Sequence, residues 1–208
     1  MSAAAPCVFV VDDDASLRKA LSRLLRSAGF QVETLATAEE FLRRPAPDGP
    51  GCVILDVRMP GLNGLDLQRA LAERHSSLPI VFITGHGDIP TSVRAMKAGA
   101  VDFLPKPFHD EDLLAAVRQA VRRHAKAREQ QAELAVLRQR FDSLSARERE
   151  VMALVASGKL NKQAGHRLGV TEKTIKAHRS QVMRKMGADS LAELVRMAAR
   201  IETHLAPA

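Results

Sequence analysis

Asp12, Asp13 and Asp14 stand in a row directly after the apolar run Val8 to Val11, and Asp56 follows a second such run, Val53 to Leu55. Two further polar residues close strand-like segments: Thr84 ends the run Ile80 to Ile83, and Lys106-Pro107 follows Val101 to Leu104. Taken singly each has a structural explanation, since Asp14 can cap a helix, Thr84 can sit in a turn, and a lone lysine is usually on the surface. Together they describe one site. Carboxylates brought together from neighbouring strand ends repel one another unless a cation lies among them, and an all-oxygen cluster that keeps waters suits Mg2+. A lysine and a hydroxyl facing a carboxylate across a metal are the parts needed to hold a phosphoryl group. His86, between Gly85 and Gly87, is read as a surface loop residue and not as a catalyst.

Such a site requires elements that bring the strand ends together. The three strong runs are β-branched-rich and do not alternate with polar residues, as expected of strands covered on both faces in a parallel sheet; Gln31 to Leu35 and Val101 to Leu104 are weaker candidates. Between them fall amphipathic stripes. Leu17, Ala20, Leu21, Leu24, Leu25 and Ala28 mark a first helix stopped by Gly29, and Thr37-x-x-Glu40 reads as a capping box opening a second. Leu67, Ala70 and Leu71 stripe a third, Val93 and Met96 a fourth, and Leu113, Leu114, Val117 and Val121 a fifth. Five alternations predict a small doubly wound α/β domain, whose ligands bind beyond the carboxyl ends of the strands.

The charge distribution predicts a second task. The chain has 208 residues and a net charge of +7, but residues 1–120 carry 13 basic and 15 acidic side chains, whereas residues 141–208 carry 12 and 7. A basic terminal region is the footprint expected of a nucleic-acid partner. With 46% hydrophobic and 26% charged residues the composition is that of a globular protein, which excludes fibrous and disordered classes. No apolar run approaches the roughly 18 residues that cross a bilayer, and no signal-peptide pattern opens the chain, so a cytoplasmic location and no membrane partner are expected. Cys7 and Cys52 fall at the same end of adjacent strands if the first and third strands are neighbours, and both are expected as free thiols.

Residues 122–142 contain neither Pro nor Gly, and their composition favours a helix continuing from the fifth. The seam Leu113, Val117, Ala120, His124, Ala127, Gln131 and Leu134 is too poor to dimerise alone, which favours a solvated helical linker over a weak intermolecular seam. Beyond it, capping boxes at Ser145-x-x-Glu148 and Ser190-x-x-Glu193 open two amphipathic stretches. Between these lie a short helix from Asn161 to Leu168, Gly169, a restart at Thr171 and a basic helix over about Glu172 to Met186: the helix-turn-helix pattern, whose second helix enters the major groove. Ile175, Val182 and Met186 mark the buried stripe of that helix. Lys176 and Ala177 then face bases, and Ser180 a base edge or a phosphate; Lys162, Lys173 and Arg179 face phosphates; Thr171 and Thr174 complete the DNA-facing set. His178 is read as packing or capping within the domain.

The motifs Val8-Phe9-Val10-Val11-Asp12-Asp13-Asp14, Ile54-Leu55-Asp56-Val57-Arg58-Met59-Pro60-Gly61, Phe82-Ile83-Thr84-Gly85 and Gly99-Ala100-Val101-Asp102-Phe103-Leu104-Pro105-Lys106-Pro107 resemble the receiver domain of two-component response regulators, most closely the FixJ type. The string Leu144-Ser145-x-Arg147-Glu148, Asn161-Lys162-Gln163, Leu168-Gly169-Val170, Thr174-Ile175-Lys176-x-His178-Arg179, Lys185-Met186 resembles the LuxR/NarL-type DNA-binding domain. The implied organisation is a flavodoxin-like receiver with a five-stranded parallel sheet over 6–122, a helical linker over 123–141 and a helix-turn-helix domain over 142–205.

The receiver resemblance implies that Asp56 accepts a phosphoryl group from a phosphohistidine on a sensor histidine kinase, while Asp12, Asp13, Asp56 and the backbone of Arg58 hold Mg2+. Lys106 would pair with phosphoryl oxygens, Thr84 would bond one of them, Phe103 would rotate inward, and Lys106-Pro107 would be cis. Phosphorylation would promote a homodimer through the face near Val93, Met96, Lys97 and Phe103, which then binds double-stranded promoter DNA, with RNA polymerase as a further candidate partner. One departure is Gly165, where the family usually carries Ala; its cost inside a helix of about 1 kcal/mol predicts a soft scaffold helix. Two other classes fit less well. An aspartyl-phosphate hydrolase would want a second Asp where Arg58 stands, and an RNA-binding regulator would want aromatic platforms where residues 141–208 offer only Phe141. The expected chemistry is self-phosphorylation and slow self-dephosphorylation, not enzymatic turnover.

Overall fold

A computed structural model of the chain describes residues 5–45, 47–85 and 89–204. His86 lies outside the described residues. The first unit contains strands β1 (Cys7–Val11), β2 (Gln31–Leu35), β3 (Gly51–Asp56), β4 (Ile80–Thr84) and β5 (Asp102–Pro105), alternating with helices α1 (Ala15–Ser27), α2 (Ala38–Leu42), α3 (Gly64–Glu73) and α4 (Ile89–Lys97) and followed by α5 (Asp110–Asp142). All pairings are parallel and the strand order is β2-β1-β3-β4-β5. This is the doubly wound architecture that the alternating pattern predicts, in the flavodoxin-like form that the receiver resemblance implies.

Every residue of β3 and β4 is buried, because helices cover both sides of the sheet. Phe9, Val11, Val53, Leu55 and Phe82 pack against α2, α3 and α4 through Phe41, Leu67, Leu71 and Ala95. Val8, Val10, Ile54, Val81 and Ile83 pack on the other side against Leu21 and Leu25 of α1 and Leu113, Val117 and Ala120 of α5. The period-2 alternation of side chains also settles the cysteines. Strands β1 and β3 are neighbours, yet Cys7 pairs with Gly51 and Cys52 with Val8, one register step apart. Cys7 therefore packs on the face of Phe9 and Cys52 on the face of Val8 and Ile54, and both thiols are free. Burial pushes the Cys52 thiol up to about 12.

The second compact unit begins at Gln130 and holds the end of α5 with α6 (Ala146–Ala156), α7 (Asn161–Leu168), α8 (Glu172–Met186) and α9 (Leu191–His204). Ser145 and Glu148 form a full capping box on α6. At α2 and α9 the Thr37 and Ser190 hydroxyls accept as expected, but Glu40 and Glu193 reach one residue further back, to the Ala36 and Asp189 N–H groups. Leu144, Val151, Val155, Ile175, Val182, Met186 and Leu194 close a single core.

Two expectations need correction. The segment 123–141 is helical, but it is anchored by buried residues near both ends and is not solvated throughout. His124 is buried and its Nδ1 accepts the Gly51 N–H at 2.9 Å, while Arg128 donates to the Pro47 and Asp48 carbonyls. At the other end Leu137 is only 6% exposed within the core of the second unit. Nor is Gly165 a soft spot: a Cβ there would lie 2.8 Å from the Val170 carbonyl oxygen, which shares this tight turn with the Val170 N–H bond to Gly165. Glycine keeps the turn between α7 and α8 clear of that contact.

Candidate functional site

The parallel register delivers the polar strand ends to one edge. Asp12 follows β1, Asp56 and Thr84 end β3 and β4, and Lys106 follows β5. Lys106 Nζ lies 2.8 Å from Asp12 Oδ2 and 3.3 Å from Asp56 Oδ2, so one cation spans both carboxylates. Carboxylate oxygens of Asp12, Asp13 and Asp56 lie within 4.8 Å of one another. Asp12 is fully buried and Asp56 is 7% exposed, whereas Asp13 faces solvent. Asp14 is separate from this group: it caps α1, accepting the Ser16 and Leu17 N–H groups at 2.8 and 3.2 Å.

Among the described residues Asp56 Oδ1 is buried without a hydrogen-bond partner. A desolvated carboxylate oxygen left in that state is costly, and the donor set around it is all oxygen, so these residues fit a small divalent cation. Burial raises the Asp56 pKa, with Lys106 opposing and Asp12 adding to the rise. Burial alone would lower Lys106, but its bond to Asp12 and the charges of Asp12 and Asp56 hold its pKa above the usual lysine range.

The surrounding groups are fixed by contacts that local pattern does not show. Arg18 Nη1 donates to the Asp12 carbonyl at 2.6 Å, and Asp12 Oδ1 accepts the Asp14 N–H at 2.8 Å. Glu39 Oε1 accepts the Leu62 N–H at 3.1 Å, which holds the β3–α3 loop beside Asp56, with Gly61 at φ +75°. At the end of that loop Gly64 opens α3 where a Cβ would fall 2.3 Å from the Asp56 carbonyl oxygen. Thr84 is buried, and its carbonyl accepts the Lys106 N–H at 2.7 Å. The Lys106-Pro107 peptide is cis. Phe103 is half-buried with its ring 6.1 Å from that of Phe82, and the Arg58 side chain is exposed.

The second candidate surface is α8. Its buried residues are Ile175, Val182 and Met186, the stripe the sequence marks, and Lys173, Lys176, Ala177 and Ser180 are exposed, as is Lys162 on α7. Thr174 and Arg179 are half-buried, and Arg179 Nη1 donates to Asn161 Oδ1 at 3.4 Å. The Thr171 hydroxyl is committed to capping, accepting the Thr174 N–H at 3.2 Å. His178 is half-buried. The helix therefore offers one apolar face to its own core and one cationic face to solvent, the arrangement a helix needs to lie against a polyanion. Among the described residues no helix is long and apolar enough to cross a membrane.

Residues 8–118 match the response regulator receiver domain, and residues 142–198 match the luxR family of bacterial regulatory proteins. The chain is 54% identical over 190 residues to nodulation protein W of Bradyrhizobium diazoefficiens, a match spanning 91% of this chain and 84% of that one. It is 45% identical over 205 residues to the response regulator protein TodT of Pseudomonas putida, covering 99% of this chain and 90% of the other. The solved structure of the response regulator StyR superposes with a TM-score of 0.87 at 49% identity, over 95% of this chain and 100% of that one. An acidic pocket at the strand ends, a cationic helix in a helix-turn-helix and these relatives lead to one conclusion: the chain belongs to the two-component response regulators that carry a receiver and a LuxR-type DNA-binding domain, and is a transcription regulator.

Proposed function

We propose that phosphorylation of Asp56 switches this regulator. An Asp56 carboxylate oxygen attacks the phosphorus of a phosphohistidine on a sensor histidine kinase; the P–O bond forms as the P–N bond breaks and the imidazole leaves. Asp12, Asp13, Asp56 and the backbone of Arg58 would hold Mg2+, which when bound would supply neutralising charge for the phosphoryl oxygens. Lys106 is already 3.3 Å from Asp56 and carries the positive charge that the added −1.5 to −2 (about) of the phosphoryl group requires. Thr84 bonds one phosphoryl oxygen, and Phe103 follows its movement. The observation that carries this reading is Asp56 Oδ1, buried and without a hydrogen-bond partner among the described residues, amid two other carboxylates and a lysine.

Phosphorylation favours a homodimer, for which the exposed Ile89, Val93 and Met96 of α4 supply an apolar surface. The dimer presents two α8 helices to double-stranded promoter DNA. Lys176, Ala177 and Ser180 read base edges, Lys162, Lys173 and Arg179 hold phosphates, and Thr171 and Thr174 complete the DNA-facing set. The protein acts in the cytoplasm, with RNA polymerase as a further partner, and its only covalent chemistry is on its own Asp56. Incubation with acetyl phosphate and Mg2+ tests the switch: one alkali-labile phosphoryl group should appear on the peptide containing Asp56, and a label mapping elsewhere overturns the assignment.

A further inference from the structure

The last turn of α5 reaches the far end of the recognition helix. Arg140 Nη1 donates to the Met186 carbonyl at 2.9 Å. Met186 is the final residue of α8, whose last carbonyls have no partners within the helix and form the negative end of its dipole. The next residue, Gly187, turns left-handed at φ +66°, and its missing side chain leaves the space the guanidinium fills: a Cβ there would lie 2.9 Å from Arg140 Nη1 and 3.1 Å from its Cζ. Gly187 thus ends the helix and admits the cation that caps it.

A second cation secures the same corner from the opposite direction. Lys185 Nζ donates to Glu148 Oε2 at 2.6 Å and to the Ser143 carbonyl at 3.2 Å, linking the end of α8 to the turn between α5 and α6. Ser143 Oγ in turn donates to the Arg140 carbonyl at 2.6 Å. Leu137, one turn before Arg140, is buried in the same core as Ile175 and Val182, and Glu133, one turn earlier, accepts from Arg200 of α9 at 3.0 Å. Residues 133, 137 and 140 lie on one stripe of α5, so the end of this helix is a built part of the DNA-binding unit although the family match begins only at residue 142.

We propose that Arg140 is a positioning residue for DNA recognition: by capping α8 it fixes the axis on which Lys176, Ala177 and Ser180 are presented, and it does so without touching DNA. Because α5 is one helix from Asp110 to Asp142, the residue that caps the recognition helix is carried by the segment that leaves the receiver.

The test uses the full chain and two duplexes, one enriched from a randomised pool by the wild-type protein and one scrambled, each at two salt concentrations. Arg140→Ala should weaken binding to the enriched duplex about fivefold, the value of a well-placed cation at a helix C-terminus. Binding to the scrambled duplex and the salt slope should both stay as in wild type, and Arg140→Lys, which keeps the charge, should recover part of the loss. If both duplexes weaken equally and the salt slope falls by about one, Arg140 is a phosphate contact and the proposal fails. Unchanged binding to the enriched duplex also overturns it. Should Arg140→Ala melt below the assay temperature, Arg140→Gln, which keeps an N–H donor, replaces it: a selective loss on the enriched duplex supports the positioning role, and an equal loss on both, or none, rejects it.

Discussion

The acidic pocket and the recognition helix hold their charges in opposite ways. Asp12, Asp56 and Lys106 are drawn out of water and bond to one another, whereas Lys162, Lys173 and Lys176 stand in solvent among few partners. In the pocket the dielectric is low, so each charge is tolerable only because of its neighbours, and removing one leaves the others uncompensated. On the helix each cation is hydrated already, and its value appears only when a phosphate or base replaces water. The first region is therefore built to change state as a unit. The second is built to sum independent contributions.

The largest effects should come from the pocket. Asp56→Asn should abolish incorporation from acetyl phosphate, and labelling equal to wild type would place the acceptor elsewhere. Lys106→Ala should cost about 3 kcal/mol of stability in chelator, because it leaves a fully buried Asp12 facing Asp56 without a cation, and Mg2+ should restore part of this. Urea unfolding with EDTA and with Mg2+ checks it. A variant as stable as wild type in EDTA would mean that these charges are not coupled, which breaks the contrast at its stronger end.

The recognition helix should respond in smaller, separable steps. Lys176→Ala should cost about 1–3 kcal/mol on a cognate duplex and relax base preference, while Lys173→Ala should weaken all duplexes and lower the salt slope by about one. The two losses should add within about 0.5 kcal/mol, as they do for sites without shared partners. Strong non-additivity in titrations of the double variant would show that the exposed face also acts as a unit.

Legibility in the sequence follows the same division. The strands, the acidic strand ends and the Ile175, Val182 and Met186 stripe were readable because they depend on local period and on neighbours along the chain. What the sequence concealed are partners set by tertiary structure. Glu39 stands beside Glu40, which the cap motif claims, and nothing local announces that it holds Leu62. His124 looks like a polar blemish in a seam, yet its acceptor nitrogen meets the N–H of Gly51 on β3. Cys7 and Cys52 share a strand end, but register parity turns them to opposite faces.

Gly165 is the sharpest case. Helix propensity alone favours Ala there by about 1 kcal/mol. The Val170 carbonyl, 2.8 Å from the position of the new Cβ, reverses the sign, so Gly165→Ala should lower stability by about 1 kcal/mol in thermal unfolding. A stabilised variant would show that the turn between α7 and α8 gives way more easily than the contact implies.

The smallest effect separates the two units by pH. His124 is buried, and burial followed by the charge of Arg128 holds its pKa below the ordinary 6.5. As pH falls past that value the unfolded chain takes up the proton first, so the contribution of His124 is complete above 6.5 and is lost below it, down to the folded-state value. In the second unit the Lys185 bond, followed by the Ser145 N–H, holds Glu148 below its ordinary 4.5. There too the unfolded state protonates first, but only as pH falls past about that lower value, and the stabilisation is lost beneath it. Unfolding of the full chain from about pH 7.5 to 3.5, compared with His124→Gln and Glu148→Gln, resolves the two. The wild-type advantage over His124→Gln should shrink first. Its advantage over Glu148→Gln should stay level through the histidine range and shrink only in the carboxylate range. If the two advantages fade together, neither group titrates in the environment described, and the two units do not differ in how acid reaches them.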